Sequence, residues 1–146
     1  MSRVCRAMIF ALVSSALLVG CADLPKYLRR HTYPPDFKYI ERHDVRSAMW
    51  QLARDVAALD KLMRQSGPVD VARRAEARRL LMAMTDATTE LRTDGRPSNH
   101  PVIGEHVEAF RGDLALALAG VDAEPPSYYL VGSVSGAYLT CHASDR

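Results

Sequence analysis

From Asp44 onward, the apolar residues of this chain recur in steps of three and four. Val45, Met49, Leu52, Val56, Leu59 and Met63 form the first series, and their spacing predicts a helix with one buried seam. Asp44 is placed to cap its start, while Gly67-Pro68 stops it and opens the next element. A second helix is predicted from about Val69 to Arg92, with Ala77, Leu80, Met84, Ala87 and Leu91 on one face, until Gly95 and Pro97 break it. Ser98 or Asn99 then caps a third helix, which carries Ile103, Val107, Phe110, Leu114 and Ala117 and ends near Gly120. After Pro125-Pro126 a fourth carries Leu130 or Val131, Val134, Tyr138 and Cys141 toward the C-terminus. No stretch alternates with a strand's period of two over a useful length. Four helices of similar length with short connections predict an all-α fold, an antiparallel up-down four-helix bundle over residues 43–146. Gly132 and Gly136 each cost about 1 kcal/mol of helix propensity relative to Ala. A helix tolerates that where a bulky group approaches its backbone.

The pattern upstream is of another kind. Arg3 and Arg6 precede an apolar run from Ala7 to Val19, broken only by Ser14 and Ser15 and too short for an ordinary membrane span. Residues 1–20 read as a secretory leader. The run closes on Leu18-Val19-Gly20-Cys21, which resembles the bacterial lipobox, in which the cysteine is acylated and becomes the first residue of the mature chain. Several acyl chains on Cys21 exceed the two-signal threshold for stable anchoring, so the protein is expected on the periplasmic side of a membrane without crossing it. Ala22 lacks the aspartate that resemblance to enterobacterial lipoproteins associates with inner-membrane retention, so the outer membrane is favoured; Asp23 lies one place later. Residues 21–42, with Pro25, Pro34 and Pro35 and no sustained period, read as the lipidated cysteine and a tether. Tyr33, Phe37 and Tyr39 are its means of packing back on the domain.

Removing the leader takes Arg3 and Arg6 with it, so the formal charge falls from +2 to zero. A neutral chain has no electrostatic footprint for nucleic acid. Of the three cysteines, Cys5 leaves with the leader and Cys21 is lipidated, so Cys141 is alone and no intramolecular disulfide forms. A single thiol in an oxidising periplasm invites a partner: haem, another chain or a small-molecule cap.

That thiol stands beside His142. A c-type haem site needs this adjacency, because the thiol adds to a haem vinyl group while the neighbouring imidazole binds iron. Residues 138, 141 and 142 share a helical face, so all three address one flat ligand. A four-helix bundle that ends in Cys141-His142, with Arg146 four residues on, resembles the cytochrome c prime family, whose Cys-x-x-Cys-His pattern has an arginine at that distance. The resemblance runs from about Asp44 to Arg146. It implies that His142 is the proximal iron ligand, Cys141 the second thioether cysteine, and Arg146 the arginine near the haem propionates. Two departures stand against it: Tyr138 occupies the place of the first cysteine, and the connection from Arg92 to Pro101 is shorter than the family's usual one. The implied cofactor is therefore haem held by a single thioether or without covalent attachment. On the distal side, where the family uses an apolar residue or a methionine, Met49 is the candidate iron ligand and Trp50 its neighbour for ring stacking. Both residues also serve commonly as core filling.

Other chemistry finds little footing. His100, Glu105 and His106 lie close together, but no Glu-x-x-His pair exists to build a dimetal site. Gly-rich phosphate loops, His-Glu-x-x-His helices and Gly-x-Ser-x-Gly elbows are missing from the sequence, so catalysis by side chains is not expected. Arg73, Arg74, Arg78 and Arg79 make the second helix basic, which means solvated surface or a face for anionic lipid or an acidic redox partner. These features together describe a membrane-anchored haem-binding lipoprotein for electron transfer or small-ligand binding, with a redox partner protein in the first case and a homodimer compatible with either. The alternative is a haem-free structural or adaptor lipoprotein that keeps the bundle.

Overall fold

A computed structural model describes residues 28–29, 32–68 and 70–143, with side chains as far as Tyr138. The leader, Cys21 and Arg146 lie outside the described residues. The chain divides at Phe37/Lys38 into two compact units. In the first, Tyr33 and Phe37 stack on each other, with ring centroids 4.4 Å apart and planes 10° off parallel, across a turn closed by the Phe37 N–H donating to the Pro34 carbonyl.

The second unit is all-helical, with no strand among the described residues. Its helices are α1 (Arg42–Met63), α2 (Val71–Ala87), α3 (Pro101–Asp122) and α4 (Tyr129–Ala143), with a 3₁₀ turn, Thr89–Leu91, after α2. None of them is long and apolar enough to cross a membrane. Close packing joins α1 to α2, α2 to α3, α3 to α4 and α4 to α1, a closed cycle. Predicted seam residues face its centre, joined by Leu81 and Val121: Leu52, Val56 and Leu59 of α1, Ala77, Leu80, Leu81 and Met84 of α2, Phe110, Leu114, Ala117 and Val121 of α3, and Val131 and Val134 of α4 form one buried cluster. Each buried leucine contributes about 2 kcal/mol by leaving water. A smaller cluster joins Ile40, Ala48, Leu91 and Val107.

The helix ends depart from the sequence expectations in instructive ways. Glu41, not Asp44, is the N-cap of α1, and it makes no side-chain cap bond; Asp44 sits in the first turn, where its charge complements the helix dipole. The second helix stops at Ala87 rather than continuing to Arg92. Thr88 Oγ1 donates to the Thr85 carbonyl at 2.8 Å and Arg111 Nη1 to the same carbonyl at 2.7 Å, drawing off an acceptor that the next α-turn would use. Leu91 is still fully buried, delivered by the 3₁₀ turn.

Neither Ser98 nor Asn99 is the N-cap of α3; His100 is, and Pro101 occupies the first turn, where a missing N–H costs nothing. Asn99 has another task. Its Oδ1 accepts from the Ile40 N–H at 2.8 Å, its Nδ2 donates to the Ile40 carbonyl at 2.9 Å, and Lys38 N–H donates to Pro97 O at 2.8 Å. The amide side chain mimics a strand neighbour, so Lys38, Tyr39 and Ile40 belong to the helical unit and not to the tether, and Ile40 is only 2% exposed.

Two glycines permit close approach. A Cβ on Gly104 would lie 2.6 Å from Thr93 Cγ2, and one on Gly120 would lie 2.8 Å from the Ser127 carbonyl oxygen. Beside Gly132 and Gly136 the described residues leave open space: a Cβ on either would meet nothing within 4 Å.

Candidate functional site

Tyr138, Cys141 and His142 lie on α4 and Met49 on α1, and these two helices pack on each other. Tyr138 is half-buried against the main core, its ring 6.3 Å from that of Phe110 and tilted 60° to it. The position that a first haem cysteine would occupy therefore looks inward. Cys141 and His142 follow three and four residues later within α4, positions that share a helical face with Tyr138. Their side chains, like Arg146, lie outside what is described. Met49 is half-buried and packs against both apolar clusters. With Arg46, Trp50 and Ala53 it lines a shallow concavity of about 270 Å³. Trp50 is 66% exposed, so it fills no core.

Cys141 and His142 put a thiol beside an imidazole in the last turn of α4, and α1, which carries the Met49 thioether, packs on α4. No cluster of three or more His, Cys, Asp or Glu that would hold a bare metal ion occurs among the described residues. His100 is the N-cap residue of α3 and makes no side-chain cap bond.

The basic residues of α2 turn out to be committed inside the molecule. Arg73 reaches back from the start of α2 to the carbonyls of Gln65, Ser66 and Gly67, while Asp70 caps the helix by accepting from the Arg73 N–H. Arg74 donates to the carbonyls of Val121, at 2.8 Å, and Ala123, and pairs with Glu124 at 2.9 Å. That Glu124 bond holds the Arg74 guanidinium above its ordinary pKa. Arg78 pairs with Asp122, and Arg79 with Glu76 in a two-point contact. Arg74 thus satisfies the Val121 carbonyl in the last turn of α3 and the Ala123 carbonyl after it, and Arg73 holds the carbonyls of the loop that follows α1.

The opposite situation holds on α1. Arg42, Arg46, Arg54 and Lys61 are exposed and have no ion-pair partner among the described residues. Tracing apolar seams along the sequence passes over this face, although the signal is there: positions 42, 46, 50 and 54 step by four, opposite the Leu52, Val56 and Leu59 seam. Arg111 escapes the same way; it ties α3 to the α2 terminus through Thr85 O and Thr88 Oγ1, and Thr88 is completely buried. Compared with protein-family profiles, curated proteins and solved structures, the chain matches none.

Proposed function

We propose that this chain is a lipid-anchored, cytochrome c prime-like haem-binding protein of the bacterial envelope, its four helices arranged as an antiparallel up-down bundle. The closed cycle of helix pairs and the short connections support that arrangement. In it the last turns of α4 lie beside the start of α1, which brings Cys141 and His142 to the end of the bundle that carries Met49. The observation that carries the reading is Tyr138: it looks into the core three residues before Cys141, on the face a haem cysteine needs.

In this reading Cys141 would tether the group by one thioether, His142 would bind its iron, Arg146 would pair with its propionates and Met49 would be a second candidate iron ligand. Bound haem supplies one-electron exchange if Met49 completes the iron, or a place for a small gas if it does not. The chain's own part is to set the surroundings. Phe110 and the aliphatic cluster would exclude water from the group and lower its local dielectric, and Tyr138, packed against that cluster, would stand in place of the missing thioether. Cys21 keeps the mature protein at the membrane, with the outer membrane as destination.

The test is the mature protein expressed with periplasmic cytochrome maturation. Wild type shows a haem spectrum with one thioether or a dissociable haem, and Tyr138→Cys shows covalent haem with two. His142→Ala loses the axial bond in both backgrounds. If Tyr138→Cys folds by circular dichroism and takes up no haem, the haem-free structural lipoprotein replaces this reading, with the Tyr138–Phe110 contact as plain core filling. Fractionation of Cys21→Ser tests the anchor separately: retention in the membrane as tight as wild type overturns it.

A further inference from the structure

We infer that the outer face of α1 is a docking surface for an anionic lipid bilayer. Seen down the helix, Arg42, Arg46, Trp50, Arg54 and Lys61 fall within about a third of a turn, Arg42 on the flank of the buried seam and the others on the side away from it. Trp50 is the chain's sole tryptophan, and it stands exposed between Arg46 and Arg54, one helical turn from each. Ala53 and Ala57 flank it with small side chains, and it is 66% exposed.

The chemistry of this face matches a membrane interface. An indole prefers the headgroup level, where its ring meets acyl chains and its N–H meets water, and long cationic side chains reach from there to phosphate. The cations are available because the acidic residues of α1 are engaged elsewhere or face away. Asp44 pairs with His43 and Asp60 with Arg64, while Asp55 lies on the half-buried side. A neutral mature chain thus carries a localised positive face, so its attraction to anionic lipid is not visible in the net charge.

Proximity supplies the second part of the argument, and it rests on the lipid-anchor reading. Residues 22–37 cannot hold the helical unit farther than roughly 60 Å from an acylated Cys21. At that range even a weak surface attraction orders the domain against the bilayer, because the second contact becomes intramolecular. Docking through α1 would lay the helix along the membrane and leave the α2–α3 side free. An acidic protein partner would satisfy the same charges, but it explains neither the exposed indole nor the tether.

Trp50 is its own reporter. The chain from residue 21, with Cys21→Ser so that no acyl chain contributes, is mixed with phosphatidylcholine vesicles with and without phosphatidylglycerol. The expected result is a blue shift of Trp50 emission and co-sedimentation with the anionic vesicles only, both reversed by salt on the order of 0.5 M. Arg46→Glu with Arg54→Glu should weaken binding at least about tenfold, since each cation near an anionic surface contributes roughly a fivefold preference. Arg42→Gln with Lys61→Gln is the second variant should the first fail to fold. No binding to anionic vesicles, equal binding to neutral ones, binding without a Trp50 shift, or indifference to both charge variants overturns the docking face, as does capture of an acidic protein by a chain that ignores phosphatidylglycerol. Because the acyl chains are absent throughout, these outcomes are independent of whether Cys21 is lipidated.

Discussion

Helices α1 and α2 carry similar numbers of cations and use them in opposite ways. On α2, Arg73, Arg74, Arg78 and Arg79 bind carbonyls and carboxylates within the fold, and Arg73, Arg74 and Arg78 between them clamp the ends of α1 and α3. On α1, Arg42, Arg46, Arg54 and Lys61 stand around an exposed Trp50 without ion-pair partners among the described residues. A guanidinium that satisfies a helix C-terminus supports the fold, whereas one in open solvent is available to something else. Counting arginines therefore points to α2 as the surface for lipid or partner, while their bonds point to α1.

The sharpest way to break this comparison is to remove two cations from each helix. Arg74→Ala with Arg78→Ala should lower the thermal midpoint by roughly 10 °C, because the Val121 and Ala123 carbonyls lose the Arg74 guanidinium and the Asp122 carboxylate loses Arg78. Arg46→Ala with Arg54→Ala should leave it within about 2 °C. Thermal unfolding followed by far-UV circular dichroism reads both. Equal losses would mean that α1's cations also hold the fold and that the distinction is false.

A single substitution extends the contrast to α3. Arg111 is half-buried and donates to the Thr85 carbonyl and to the fully buried Thr88 hydroxyl, at 2.7 and 2.8 Å. Arg111→Met keeps much of the stem and removes the donors, so it should cost about 2 kcal/mol in urea unfolding, within the range for hydrogen bonds from charged groups. A loss under about 0.5 kcal/mol would show that water replaces the guanidinium freely.

How far the sequence carried the fold depends on the range of the interaction. The seams of Leu52, Val56, Leu59, Leu80, Met84, Leu114 and Val134 were legible because burial of one helical face imposes a period. The end of α2 was not, since it follows from three threonine hydroxyls and an arginine more than twenty residues away competing for helix carbonyls. Ile40 was hidden for the same reason: outside any helix, it is buried through the Asn99 amide, whose placement is a tertiary fact. At the candidate site, the Cys141-His142 adjacency and the inward position of Tyr138 were legible from spacing. Trp50 was not, because its residue type speaks for the core while its position, one step round from Met49, turns it to solvent.

The smallest effect tests the weakest of the α2 contacts. Arg79 donates to both oxygens of Glu76, at 2.6 and 2.8 Å, and this bond holds the Glu76 carboxyl below the usual carboxylate range. A carboxyl with a lowered pKa in the folded state binds its proton less readily there than in the unfolded chain. Its contribution to stability is therefore complete above the ordinary carboxylate value near pH 4 and is lost as pH falls through the lowered one. Both side chains are substantially exposed, so solvent and salt screen most of that contribution. Glu76→Gln should accordingly leave stability at neutral pH almost unchanged and slightly flatten the acid limb below about pH 4, whereas Asp122→Asn, which weakens a bond between helices, should lower the neutral-pH midpoint measurably. A larger neutral-pH loss from Glu76→Gln than from Asp122→Asn would invert the ranking, placing stability in contacts within a helix instead of in those that clamp one helix to the end of another.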